Sequence, residues 1–164
     1  MSRFTSVLVV SPYQDGKTWY LRSPLLYEVG ALGSNNQVAV PQGFTTDFAS
    51  IPRLFWIVLP RWGKYGNAAV VHDYLYYDQS RSRREADQIF FEAMGVLEVP
   101  YWQRYPMYCA VRAFGWFAWM LNRRKKALGY QKWTQQPPLK ATALPVHWRV
   151  RRPDYARLLL CFSR

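Results

Sequence analysis

The sequence predicts an α+β domain: a small N-terminal antiparallel sheet packed on a helical hairpin and a long aromatic helix, with a basic C-terminal extension. Three observations carry that prediction. Short apolar runs alternate with turn residues through the first fifty positions, the apolar period turns helical from Asn67, and prolines and cations dominate after Gly129. At 164 residues the chain suits a single domain over 1–129 followed by an extension over 130–164.

The strands come first. Phe4 to Val10 and Thr18 to Leu21 flank a turn at Tyr13-Gln14-Asp15-Gly16; Leu25 to Val29 and Gln37 to Val40 flank Gly33-Ser34-Asn35-Asn36, residues that tolerate positive φ. Thr45 to Pro52 reads as an ordered loop, because Pro52 disfavours helix at Ile51, and Leu54 to Leu59 reads as a buried connector. The first helix runs from a cap at Asn67 to about Tyr77. Ser82-Arg83-Arg84-Glu85 is a capping box that starts a second helix, expected to stop at Gly95. A third begins near Pro100 and continues to Leu128, with a kink or split expected at Pro106. Past it a short helix from Pro153 to Phe162 is expected.

Composition narrows the function classes. The formal charge is +12, yet half the residues are apolar and 18% are aromatic, which excludes a disordered polycation. Cys109 and Cys161 give no disulfide framework and no ligand spacing, so zinc-finger and thiol-redox readings fall away. Val7 to Val10 is too short for a signal-peptide core, so an unprocessed cytosolic product is expected. Residues 1 to 98 balance nine basic against nine acidic side chains, and residues 99 to 164 hold thirteen Lys or Arg against Asp154 alone. The C-terminal half is therefore expected to face an anionic surface, a membrane or another protein, with nucleic acid ranked below both. From Met107 to Leu121 only Arg112 is charged, and Arg123-Arg124-Lys125-Lys126 follows soon after. The first expectation for this helix is a central core position. The second is an interfacial anchor with an aromatic body and a basic flank.

Chemistry concentrates in residues 68 to 94. His72 and Tyr76 share a helical face, Asp73 points about 100° away, and a connection of about five residues brings the second helix back so that Asp87 reaches His72. A carboxylate on one imidazole nitrogen fixes the tautomer and makes the other a better base. Asp73, and Asp47 in its apolar loop, are the candidate ligands for a cation. The structural alternative keeps the same contacts without chemistry: His72 bonds across the hairpin, Asp73 pairs with Arg81, Arg83 or Arg84, and Asp47 caps a turn.

The strings GFTTDFASIPR, HDYLY and R-x-EAD-x-IF resemble those of an uncharacterised, largely phage-encoded domain family over roughly residues 37 to 115. More distantly, HDYLY followed by EADQIF resembles the phospholipase A2 helix pair, above all the viral capsid form that reads HD-x-x-Y and later AD-x-x-F. That resemblance implies His72 as the base that activates water, Asp87 as its orienter, Tyr76 as a support and Asp73 as a ligand of Ca²⁺ or another divalent cation. The preceding loop, Arg61-Trp62-Gly63-Lys64-Tyr65-Gly66-Asn67, departs from it with two glycines and two cations. The expectation is a phage-encoded, metal-assisted hydrolase of a lipid ester or other cell-envelope substrate, acting in the host cytoplasm or carried in the virion. The competing expectation is a non-catalytic virion or tail component or assembly factor.

Overall fold

The computed structural model describes residues 2–13, 15, 17–46 and 65–133. The expectations for Asp47, for Leu54 to Leu59 and for the helix from Pro153 lie outside these residues.

The fold is α+β, with six short strands preceding three helices. The strands are β1 (Arg3–Phe4), β2 (Val10–Pro12), β3 (Trp19–Leu21), β4 (Leu25–Glu28), β5 (Gln37–Val40) and β6 (Thr45–Thr46). They form two three-stranded antiparallel sheets, ordered β1-β4-β5 and β2-β3-β6. The expected strand Phe4 to Val10 is two pieces, one in each sheet. The alternation Leu25, Tyr27 and Val38, Val40 turns those four side chains inward, where they are buried. The β4–β5 connection takes positive φ at Gly30, Gly33 and Asn35, as its residue types allow.

The helices are α1 (Gly66–Asp78), α2 (Arg83–Val96) and α3 (Tyr101–Ala127). Helix α1 starts one residue before Asn67, capped by Tyr65 without a side-chain bond. At its other end Gln79 takes a left-handed conformation, and its side chain donates to the Trp119 carbonyl at 2.9 Å. The Lys126 ammonium donates to the Asp78 carbonyl at 2.6 Å, a cation at the negative end of the helix dipole. The capping box of α2 is formed: Glu85 N–H donates to the Ser82 hydroxyl at 3.2 Å and Ser82 N–H to the Glu85 carboxylate at 2.9 Å. Gly95 lies inside α2 and does not end it. Its hydrogen makes room for the Arg104 guanidinium, which a Cβ would overlap. Helix α3 is one continuous element despite Pro106. That residue sits in the second turn, where the missing N–H removes a single bond.

The expectation of a central core position for the third helix fails. Of its residues only Met107, Ala110 and Val111 are buried, whereas Phe114 is 69% exposed, Trp116 58% and Phe117 64%. The core is closed without them: Leu21, Leu25, Tyr27, Val40 and Phe44 from the sheets meet Val70, Val71 and Leu75 of α1 and Phe90 and Met94 of α2. Helix α3 packs on α1 and α2 along one stripe and presents the rest outward. After it, Gly129 turns the chain at φ 79°, the Lys132 carbonyl accepts from Thr45 N–H at 2.9 Å, and Trp133 packs edge-on against Phe44.

Candidate active site

Helical spacing stacks His72 one turn before Tyr76 on α1, and both face α2. Asp87 meets them there, fully buried. His72 Nε2 lies 3.0 Å from Asp87 Oδ1, and the Tyr76 hydroxyl donates to the same oxygen at 2.7 Å. The second oxygen, Oδ2, accepts from Arg112 of α3 at 2.8 Å and from Arg83, one turn earlier on α2, at 3.4 Å. Arg83 also donates to the Val111 and Arg112 carbonyls. One carboxylate thus joins all three helices.

The electrostatics follow from those partners. Burial pushes the Asp87 carboxyl up, but the bonds from His72, Tyr76 and Arg112 together outweigh it and hold the group below the ordinary carboxylate value. An ionised carboxylate only accepts, so His72 Nε2 carries the hydrogen of that bond. In the neutral ring Nδ1 then holds a lone pair. Burial, and then Asp87, push the Tyr76 phenol above its ordinary range, which keeps it a donor.

His72 Nδ1 is buried and has no hydrogen-bond partner among the described residues. The ring stacks on Phe90, centroids 4.7 Å apart, and is 1% exposed. His72 nevertheless lines a cavity of about 420 Å³, together with Asp73 and Tyr76 of α1, Thr45 and Thr46 of β6, and a stripe of α3 that ends at Lys125. Lys132 lines it as well. A half-polar cavity lined by a histidine whose second nitrogen has no partner among the described residues is compatible with general-base chemistry.

Asp73, the expected cation ligand, shares this cavity but is engaged otherwise: its Oδ2 accepts the Thr46 hydroxyl. A divalent cation requires several oxygen ligands and is repelled by ammonium groups. Among the described residues no three His, Cys, Asp or Glu side chains converge, Asp73 is the one carboxylate on the wall, and Lys125 and Lys132 stand on that same wall. The described residues therefore do not fit a divalent site. The expected ion pairs of Asp73 with Arg81, Arg83 or Arg84 are absent as well, since Arg83 turns to Asp87.

The sequence placed His72, Tyr76 and Asp87 together, and so does the structure. It missed Arg112, Arg83 and Thr46. Two carried a readable signal: Arg83 stands four residues before Asp87, and Arg112 is the lone charge in an apolar stretch, which demands a buried anion. Thr46 carried none, because its contact depends on how β6 meets α1.

An uncharacterized protein of Sinorhizobium fredii (strain NBRC 101917 / NGR234), y4jT, is 38% identical over 78 residues, which are 46% of this chain and 23% of that protein. The chain thus spans about a quarter of the length of the curated relative it matches. No solved structure matches. The model of a family described as protein of unknown function, DUF1353, matches residues 19–111, from β3 through the His72–Asp87 pair to the first turns of α3. The chain belongs to that family.

Proposed function

We propose that this is a small phage-encoded hydrolase that cleaves a lipid ester or another cell-envelope substrate with His72 as general base. The observation that carries the reading is His72 itself: it lines a cavity, its Nε2 is held by Asp87, and its buried Nδ1 has no hydrogen-bond partner among the described residues. A water molecule donates to Nδ1 and its oxygen attacks the ester carbonyl carbon. Nδ1 takes the proton as the tetrahedral oxyanion forms. The ester C–O bond then breaks, and the same proton passes to the leaving alkoxide, returning the base. Asp87 positions the ring. The Thr45 hydroxyl and Asn122 amide are donors available on the wall. Cleavage is expected to persist in chelator, because the described residues do not form a divalent site.

The outward face of α3 supports an anionic membrane as the docking partner. Phe114, Trp116, Phe117, Met120 and Leu121 are exposed, and Arg123-Arg124-Lys125-Lys126 follows. No helix among the described residues is long and apolar enough to cross a membrane, so the contact is interfacial. The test pairs two measurements: acyl release from mixed phospholipids by the parent and by His72→Ala, and flotation with anionic liposomes before and after changing residues 123–126 to Gln. Equal release from parent and His72→Ala removes the hydrolase reading.

That outcome would favour a second reading, a non-catalytic virion or tail component. The four side-chain donors converging on Asp87 support it, because they are more than orienting one imidazole requires.

A further inference from the structure

We propose that the cavity seats one single-chain anionic amphiphile, with its charged head between Lys125, Lys132 and Asn122 and its apolar chain along Phe114, Ala118 and Leu121. The proposal rests on the hydrolase reading only for what becomes of the ligand.

The cavity has two chemically different ends. Its α3 wall is a single helical stripe, Ala110, Phe114, Ala118, Leu121 and Lys125, spaced four, four, three and four apart. Along this stripe the chemistry changes from apolar to cationic in one direction. The apolar part, from Ala110 to Leu121, is roughly 16 Å long at 1.5 Å rise per residue, the reach of a medium-length alkyl chain. Lys132 also lines the cavity; its carbonyl accepts from Thr45 N–H, and its ammonium lies 6.0 Å from the centroid of the Phe44 ring. Two lysines thus line a cavity whose one described carboxylate, Asp73, is engaged by Thr46. The neighbouring Lys126 is turned away to the end of α1.

Two further observations point to a ligand. His72, whose buried Nδ1 has no partner among the described residues, lines the same cavity as this stripe, so it is a candidate partner for a polar group of the ligand. Phe114 and Leu121 line the cavity and are also among the exposed apolar residues of α3, so the apolar half of the site opens sideways onto the outward face. A chain enters there without first crossing the polar rim. Residues from Arg112 onward, which include Phe114, Ala118, Leu121 and Lys125, lie beyond the span that matches the family model.

The test is isothermal titration of the full chain with four probes below their micelle concentrations: dodecyl phosphate, dodecyltrimethylammonium, dodecyl maltoside and inorganic phosphate. Dodecyl phosphate is expected to bind with one site per chain, at least tenfold more tightly than the other three. Lys125→Gln/Lys132→Gln is expected to weaken it at least tenfold with an unchanged unfolding midpoint. Phe114→Ser is expected to weaken it while leaving that midpoint in place. Equal binding of the cationic or uncharged detergent, or an unaffected double variant, overturns the proposal. Dodecyl phosphate binding without a one-to-one saturation overturns it in favour of surface adsorption alone. Binding of dodecyl phosphate by a parent that cleaves no ester supports the site and sinks only the hydrolase. Ester cleavage without dodecyl phosphate binding does the reverse.

Discussion

Replacing Asp87 by Asn keeps the shape of the side chain and removes its charge. In the parent, Oδ1 accepts from His72 and Tyr76 while Oδ2 accepts from Arg112 and Arg83. An amide has one oxygen, so whichever way it turns, one pair of donors faces an NH₂ group. Hydrogen bonds to a charged group contribute about 1.5–3 kcal/mol each, and breaking a buried ion pair costs about 3–5 kcal/mol. The Arg83 and Arg112 side chains are 25% and 33% exposed, so they recover some hydration when released, which lowers the cost. The expected loss is about 3 kcal/mol, or about 10 °C of melting temperature for a chain of this size. Urea unfolding followed by far-UV circular dichroism at neutral pH measures it. Arg112→Met leaves Arg83 in place and is expected to cost less, about 1–2 kcal/mol.

The pH dependence has a definite sign. The folded carboxyl lies below its ordinary value of 3.8, so its contribution is complete above that value and is lost as pH falls through the folded pKa. The gap between parent and Asp87→Asn should therefore be constant from neutral pH down to the ordinary carboxylate range and close below it. A loss under about 1 kcal/mol, a larger cost for Arg112→Met, or a gap that widens toward acid would each refute the assignment of Asp87 as the centre of the helix junction.

Ser82→Ala removes the donor and acceptor that start α2 and should cost about 1 kcal/mol, read as a lower urea midpoint with an unchanged slope. Gly115→Ala introduces a methyl group into the Tyr76 hydroxyl; about 1–3 kcal/mol is expected, and a neutral result would contradict the close approach of α3 to α1. Thr46→Val removes the hydroxyl that Asp73 accepts and should destabilise by about 1–3 kcal/mol, whereas Thr46→Ser should restore most of it.

Legibility in the sequence followed the range of the interactions. The Ser82–Glu85 box and the strand Gln37–Val40 depend on neighbours a few residues away, and both are where local chemistry puts them. The His72–Asp87 pair spans a short connection, so helical period and hairpin geometry sufficed. The fate of α3 did not follow from such rules. An apolar sequence states that a helix avoids water but not whether the rest of the core has room for it, and α1 and α2 had already filled that space. The Thr46 contact of Asp73 was hidden for a related reason. Its partner comes from β6, 27 positions earlier, and no periodicity links the two.

The junction at Asp87 also bears on how the molecule comes apart. Its acceptors are satisfied only when α1, α2 and α3 are all in place, and peeling α3 away would strand a carboxylate beside His72 and Tyr76 with its strongest arginine gone. Opening α3 alone therefore costs a contact of this carboxylate in addition to the packing of Met107, Ala110 and Val111. Amides in the adjoining turns of all three should share one protection factor in hydrogen exchange, although α3 shows most of its length to solvent.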